Sequence, residues 1–327
     1  MNGTRQMLSL TSTSDNLFSL AIARYRLDFT VTSPLALPAF AGSTLRGAFG
    51  TALRTASCIT RAADCKGCAL LTSCAYAKVF EPRPPTSGQS LASINQVPRP
   101  YVIEPPEWGE RDYQPGDILS FRIVLAGSAL DQLPLVLWAF DKALNKGVGK
   151  GDGTAILSRV THLTPDQENP VMDAPGATIA QHSTRLPFSP VPTCDAVTLH
   201  FHAPLRLQNQ GRRASAAEHT PRRLLAALIR RVALINEYHG PGPLPLDFKD
   251  LAARAEGLGS EKDLRWRDWS RYSSRQQQKI DLGGVIGRWR LTGEIAPFMP
   301  FLHLGQWLHV GKEATFGLGG YRLELHP

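Results

Sequence analysis

The stretch at residues 304–321, LGQWLHVGKEATFGLGGY, combines closely spaced glycines with a lysine, a histidine and aromatic rings. Because glycine lacks a Cβ, the backbone amides of Gly311, Gly317 and Gly319 can approach a ligand closely. A cation, an imidazole and aromatic rings in one loop suit a phosphate and a base better than an apolar ligand. The order of the glycines matches neither the Walker loop nor the dinucleotide fingerprint. The pattern predicts a phosphate site at these glycines and Lys312, and a tight turn into a last strand is the alternative.

Four of the five cysteines fall within 17 residues, separated by six, two and five residues. They are Cys58, Cys65, Cys68 and Cys74. In a chain expected to be cytoplasmic, this clustering favours a metal site over disulfides. We expect a zinc ion held by four thiolates, with a structural role because no coordination position stays open for chemistry. An iron–sulfur cluster and unligated thiols are the alternatives.

Composition points to a polyanionic partner. The chain has 36 Lys and Arg against 28 Asp and Glu, a net charge of +8 and a pI near 9.4. Arginine supplies most of these cations, and its planar guanidinium both grips phosphate and stacks on bases, which favours nucleic acid. The longest apolar run, residues 133–140, is too short to span a bilayer. We expect a cytoplasmic protein with no membrane partner.

Three segments carry the candidate RNA contacts. In a helix predicted at residues 220–238, four arginines lie nearly opposite the leucine stripe: Arg222, Arg223, Arg230 and Arg231. They predict contacts to an RNA backbone or, alternatively, a solvated basic face. Residues 266–276 interleave arginines, including Arg271, with aromatic residues, as a base-stacking surface needs. Arg46 and Arg54 lie on a glycine-flanked first helix, where they could bind phosphate or face solvent.

The elements that position these residues follow from apolar periodicity. Alternation predicts strands at residues 18–32, 117–126, 156–161, 196–207, 279–291 and 321–325, and helical spacing predicts helices at 43–57, 130–145, 220–238 and 297–307. A short extended edge segment at residues 98–106 adds a strand to the first half, and the stretch at 279–291 contains a turn, so each half has the order β-α-β-β-α-β, which is the ferredoxin-like order. We predict an α+β protein of two tandem ferredoxin-like domains, at residues 1–163 and 194–327, joined by a linker at 164–193. The cysteine cluster is a small insertion in the first domain.

Several stretches together resemble a known family, the CRISPR precursor-RNA processing endoribonucleases of the RAMP superfamily. They are GSTLRGAFGTALR with the cysteine cluster and YAKVFE (76–81), PLRL (204–207), WSRYSSRQ with IDLGGVIG, and HVGKEATFGLGGY. The resemblance implies two ferredoxin-like domains that bind CRISPR repeat RNA on basic faces. It also implies metal-independent cleavage by a ribose 2′-OH, which leaves a 2′,3′-cyclic phosphate and a 5′-OH.

Many members of that family use a histidine in or near the first helix, and this chain has none before His162. We therefore consider His309 as the acid–base group, with loop ordering as its alternative role. Tyr272 and Arg275 could orient the nucleophile and stabilise phosphate charge, as could Arg46. The alternative function is a non-catalytic subunit that holds the crRNA hairpin among other effector subunits.

Overall fold

A computed structural model of the chain describes residues 19–84, 97–184, 186, 194–209, 211–273 and 278–326. These residues form two compact units. The first comprises Ser19–Pro187 together with Ile235–Gly242, and the second comprises Phe188–Leu234 together with Pro243–Pro327. Each unit has its own antiparallel sheet with helices against one face.

The first unit is built from seven strands and three helices. In chain order they are β1 (Ile22–Val31), β2 (Leu35–Leu37), α1 (Gly42–Ser57), α2 (Ala75–Val79), β3 (Tyr101–Glu104), β4 (Arg111–Tyr113), β5 (Ile118–Ala126), α3 (Leu133–Lys146), β6 (Ala155–Leu163) and β7 (Glu168–Met172). The main sheet has the order β3-β5-β1-β6-β7. Its first four positions reproduce the ferredoxin-like arrangement, and β7 extends the edge beyond β6.

Strand β1 shows why this sheet forms. Tyr25, Leu27 and Phe29 are fully buried on one face, while Arg24 and Arg26 lie between them on the other. Alternation of this kind fixes which face of a strand packs on the core. The helices that cover the buried face stack on each other, because the rings of Phe49 (α1) and Phe140 (α3) are nearly parallel with centroids 4.5 Å apart, and the Phe140 ring lies 5.2 Å from the Phe121 ring of β5.

The second unit repeats the plan with a different set of additions. Its elements are β8 (Ala196–Leu205), β9 (Gln208–Asn209), β10 (Arg212–Arg213), α4 (Pro221–His239), α5 (Phe248–Glu256), β11 (Gly259–Arg267), β12 (Ser270–Ser273), β13 (Gln278–Asp281), β14 (Gly284–Thr292), α6 (Met299–Leu308) and β15 (Tyr321–His326). The sheet order is β11-β14-β8-β15, again the ferredoxin-like arrangement. The predicted fold class of two ferredoxin-like units is confirmed.

Three local features differ from the sequence expectations. The first helix, predicted at residues 43–57, begins at Gly42, and its N-cap residue Ala41 provides no side-chain hydrogen bond. The range 164–193, assigned to a linker, contains the sheet strand β7. Helix α5 was not expected, although Asp247 caps it by accepting hydrogen bonds from the amides of Lys249 and Asp250. That Asp is a sequence signal for a helix start.

Membrane insertion was also tested against the geometry. Among the described residues, no helix is both long enough and apolar enough to cross a bilayer.

Candidate nucleic-acid interface

The glycine-rich loop is joined to the end of β8 by backbone hydrogen bonds. Gly311 forms a parallel bridge with Arg206, and the amide of Lys312 donates to the Arg206 carbonyl oxygen at 2.9 Å. The amide of Gly319 donates to the Pro204 carbonyl oxygen, also at 2.9 Å. These bonds fix the loop beside the chain that leaves β8.

The glycines of this loop make the close approach possible. Gly319 has a φ of +69°, and a Cβ there would overlap the carbonyl oxygen of Val310. The amide of Gly317 donates to Ala314 at 2.9 Å, and both Gly317 and Gly319 are buried. We expected their amides to face phosphate, but these donors already have carbonyl partners. Within the loop, Lys312 is the exposed cation.

Arg206 projects from the strand end with an unfavourable electrostatic environment. Its half-burial lowers its pKa, the nearby carboxylate of Glu313 opposes that shift, and the cation of Arg213 adds to it. The buried Nε of Arg206 has no hydrogen-bond partner in the part of the chain that is described. Two neighbouring arginines with an unmatched donor form a site that an anion would stabilise.

An aromatic ring completes this surface. The guanidinium of Arg213 lies over the ring of Trp266, 4.9 Å from its centroid. Trp266 is 37% exposed, and its Nε1 donates to Asp268 at 2.6 Å, which holds the ring in place. We call Arg206, Arg213 and Trp266, with the adjacent Lys312, the arginine–tryptophan patch. It combines phosphate-binding cations with a face on which a base can stack.

His309 does not reach this surface. It is 1% exposed, ends α6 with a φ of +58°, and its Nδ1 lies 3.2 Å from the carbonyl oxygen of Leu318. Since a carbonyl oxygen only accepts, Nδ1 donates. The ring packs over Gly320, where a Cβ would be 2.7 Å from His309 and 2.8 Å from the imidazole of His202. His202 is exposed, and its ring centroid is 6.3 Å from that of His309.

Most of the predicted RNA-binding arginines of α4 have partners within the second unit. Arg222 pairs with Glu256, Arg223 donates to the Glu218 carbonyl oxygen, and Arg231 donates to the Leu308 carbonyl oxygen at 2.7 Å. Arg230 is exposed. The predicted basic face therefore serves mainly to hold neighbouring segments, and Arg231 caps the C-terminus of α6.

The two predicted arginines of the first unit also have structural contacts. The guanidinium of Arg46 lies 4.2 Å from the centroid of the Phe80 ring. Arg54 donates to the carbonyl oxygens of Ala62 and Ala63 at 2.6 and 2.7 Å, so it braces the loop that carries the cysteines. Both arginines make these contacts within the first unit.

Two further candidates lie on a short strand pair. Arg271 and Tyr272 are part of β12, which pairs with β13. Arg275 lies outside the described residues. Their predicted roles stay predictions.

The cysteine loop contains the kind of turn that separates two metal-binding cysteines. Its cysteine side chains do not converge as they would in a formed metal site. The amide of Cys68 approaches the Cys65 carbonyl oxygen at 3.5 Å, and Gly67 between them has a φ of +71°. Cys58 and Cys74 are close enough to Cys65 that their charges would raise its pKa, although burial is the main cause of that rise. Among the described residues, no group of three or more His, Cys, Asp or Glu side chains is arranged to hold a metal ion.

Sequence reasoning did not single out Arg206 or Arg213. The PLRL stretch contains Arg206 between buried leucines, and this alternation places its side chain away from the core. What the sequence does not contain is the distance from Arg206 to Arg213 or to the loop. Arg206 and Arg213 were therefore visible in the sequence as arginines outside the core, but not as a cluster.

Gly319→Ala should destabilise the second unit, because its Cβ would overlap the Val310 carbonyl oxygen at a φ that alanine rarely adopts. We expect a loss of about 2 kcal/mol or more in chemical denaturation. Gly257→Ala is the matched control, since that Cβ would meet only the Arg254 carbonyl oxygen at 3.5 Å. Equal stability of the two variants would contradict the assigned role of the loop.

Comparison with known proteins places the chain in a family. A family model for the AF_1859 N-terminal domain matches residues 20–184, and the model for the CRISPR-associated endoribonuclease Cas6 matches residues 199–321. An uncharacterized protein of Archaeoglobus fulgidus is 25% identical over 297 residues, which are 88% of this chain and 92% of the relative.

Solved structures agree on the fold. A product complex of Thermus thermophilus Cas6 (TTHB231) has a TM-score of 0.56 at 19% identity and covers 93% of this chain and 100% of that chain. A partial Cas6-RT-Cas1–Cas2 complex has a TM-score of 0.52 at 15% identity and covers 94% of this chain and 46% of that chain. The first of the two family models covers half of the chain, so the protein belongs to the family defined by the AF_1859 N-terminal domain; its second unit matches the Cas6 endoribonuclease model, and the solved Cas6 structures share its fold.

Proposed function

We propose that this protein binds CRISPR repeat RNA and cuts it endonucleolytically. The observation that carries the proposal is a pair of neighbouring cations, Arg206 and Arg213, whose charges are not fully offset by anionic side chains. The pair lies beside the glycine-rich loop of the unit that matches the Cas6 model. A bound phosphate would accept the hydrogen bond that the Nε of Arg206 lacks. Its negative charge would also offset the repulsion between the two guanidinium groups. An unpaired base next to that phosphate could stack on Trp266.

The proposed reaction is an internal transfer. The 2′-oxygen attacks the adjacent phosphorus, the bond from phosphorus to the 5′-oxygen breaks, and the products carry a 2′,3′-cyclic phosphate and a 5′-OH. One group must accept the 2′-proton, another must protonate the leaving oxygen, and cations must stabilise the phosphorane. None of these roles requires a metal ion.

We assign different roles to the buried His309 and the exposed His202. His309 is too deeply buried to touch RNA, so we assign it to positioning, through Gly320 and the exposed ring of His202. We assign His202 as the imidazole that exchanges a proton with the RNA. Arg206 and Lys312 would stabilise phosphate charge, and Tyr272 and Arg275 keep their predicted parts in orienting the nucleophile.

A non-catalytic role is the second candidate. It is favoured by the burial of His309 and by the lack of any histidine in α1, so the protein could hold the crRNA hairpin without cutting it. Other CRISPR effector subunits would then be its partners.

The cleavage assay separates these functions. End-labelled repeat hairpin incubated in EDTA should be cut once, and the upstream product should resist ligation until its cyclic phosphate is removed. His202→Ala should slow single-turnover cleavage at least about a hundredfold without loss of binding. His200→Ala is the control, because that side chain is on the same strand but pairs with Glu324 at 2.6 Å. Tight binding without cleavage by the unaltered protein would establish the second candidate instead.

Arg206→Met should weaken hairpin binding by about tenfold or more, because a charge-assisted contact to phosphate is lost. The slope of log affinity against log salt should fall by about one. The unfolding temperature should stay the same or rise, since methionine removes a half-buried cation that lies near Arg213.

Arg222→Met is the matched control for that variant, since Arg222 is exposed and paired with Glu256. Its RNA affinity should change less than that of Arg206→Met. If both variants bind RNA as the unaltered protein does, the arginine–tryptophan patch is not the binding surface.

We also propose that Cys58, Cys65, Cys68 and Cys74 hold a structural zinc ion. Support comes from their spacing, the turn at Gly67 and the brace from Arg54. Zinc would order the loop and supply no step of the reaction.

Metal analysis tests the zinc site directly. Purified protein should contain about one zinc per chain, and Cys65→Ser should remove it and lower the unfolding temperature. Cys194→Ser should keep the metal, since this buried residue contacts the sulfur of Met299. A brown preparation containing iron would replace zinc with an iron–sulfur cluster, and a metal-free folded protein would leave the thiols unligated.

A further inference from the structure

A cavity of about 540 Å³ opens at the edge of the first unit. It lies beside the hydrogen-bonded pair of strands β6 and β7 and under the segment at residues 180–183. Its lining includes His162, Asn169, Gln167, Gln181, His182 and Asp166. Two imidazoles and three carboxamides therefore share one opening.

The histidine at the base of the cavity is buried without a hydrogen bond. His162 is 6% exposed, and within the described residues neither of its ring nitrogens has a hydrogen-bond partner. Burial lowers its pKa, and the proximity of His182 adds to the effect. A neutral imidazole offers one donor and one acceptor, so the ring can bond either kind of group on a ligand.

The second histidine is held in a defined state. Its Nδ1 lies 2.8 Å from the Ala180 carbonyl oxygen, which only accepts, so this nitrogen carries the proton. Its Nε2 then accepts from the hydroxyl of buried Tyr25 at 2.7 Å. The rings of His162 and His182 have centroids 4.9 Å apart. His182 is partly exposed and lines the cavity, so part of its ring is accessible to a ligand there.

The carboxamide of Asn169 completes a recognition edge. Asn169 is the register partner of His162 across β6 and β7, which brings the two side chains close on the same face. Within the described part of the chain, the side chain of Asn169 forms no hydrogen bond. Asparagine provides both donors and an acceptor, the groups that read the edge of a base.

The charge of the lining decides the class of ligand. Among the residues that the structure describes, the lining includes Asp166 and no lysine or arginine, so a phosphate would meet a carboxylate there. No three metal-ligating groups of the described residues converge here. A neutral planar ligand with mixed donors and acceptors fits this lining.

We propose that this cavity binds one unpaired nucleobase, which stacks on His182 and is read at its edge by His162 and Asn169. The proposal rests on the proposed RNA-binding function, which it deepens by adding a base-specific contact on the first unit. Single-stranded bases are recognised in this way, through aromatic stacking and hydrogen bonds to their edges.

The test uses free nucleosides, which lack the phosphate that the arginine–tryptophan patch would bind. Adenosine, guanosine, cytidine and uridine are titrated separately into the full chain, with saturation-transfer NMR as the readout. The unaltered protein should bind at least one of them with a clear preference over the others. Asn169→Ala should weaken that binding by about fivefold or more, since a hydrogen-bonding carboxamide is removed.

Two controls separate this proposal from the proposed function. Asn145→Ala removes an exposed carboxamide of α3 and should bind the nucleosides normally. Inorganic phosphate should not compete. No nucleoside binding, binding unaffected by Asn169→Ala, or competition by phosphate would each overturn the nucleobase pocket. If the hairpin still binds in those cases, the proposed function survives; if the hairpin fails to bind, that function fails by itself.

Discussion

The second unit depends on a close backbone contact between Gly311 of the glycine-rich loop and the chain that leaves β8, the first strand of this unit. At Gly311 the backbone has a φ of +91°, and a side chain there would press on the carbonyl group of Arg206. The resulting bridge ties the loop that precedes the last strand to the end of the first strand. Because this contact is made by backbone atoms, it leaves the side chain of Arg206 directed at other groups.

The distribution of partners among the arginines shows which of them are available to RNA. Those of α4 and α1 mostly donate to carboxylates or carbonyl oxygens of their own unit, and so they stabilise the fold. Arg206 differs because the nearby carboxylate of Glu313 offsets its burial only in part, Arg213 is a second cation nearby, and its buried Nε has no hydrogen-bond partner among the described residues. A protein rich in arginine is thus better analysed by the partners of each guanidinium than by its net charge.

The sequence predicts those features that depend on periodicity. The buried alternation of β1, the apolar stripe of α1 and the paired ferredoxin-like order are all visible in the order of apolar residues. Contacts between distant residues are not. The bond from Arg231 to Leu308 joins residues 77 positions apart, so the basic face of α4 looks exposed on a helical wheel. Similarly, the buried position of His309 depends on the packing of Gly320, and its isolation from solvent could not be inferred from the loop composition.

The two units repeat one another down to the loop contact, which explains why only one of them carries the arginine–tryptophan patch. Residues 34–37 read PLAL and residues 204–207 read PLRL, and a VGK sequence precedes β6 in the first unit and β15 in the second, at residues 148–150 and 310–312. In the first unit the amide of Lys150 donates to the Ala36 carbonyl oxygen at 3.1 Å, as Lys312 does to Arg206. The frame is therefore the same, but alanine stands in the first unit where arginine stands in the second. The backbone contact occurs in both units although the side chain differs, which indicates that the glycine and the strand end maintain the fold. The residue between the two leucines then determines whether this part of the unit presents a cation to a ligand.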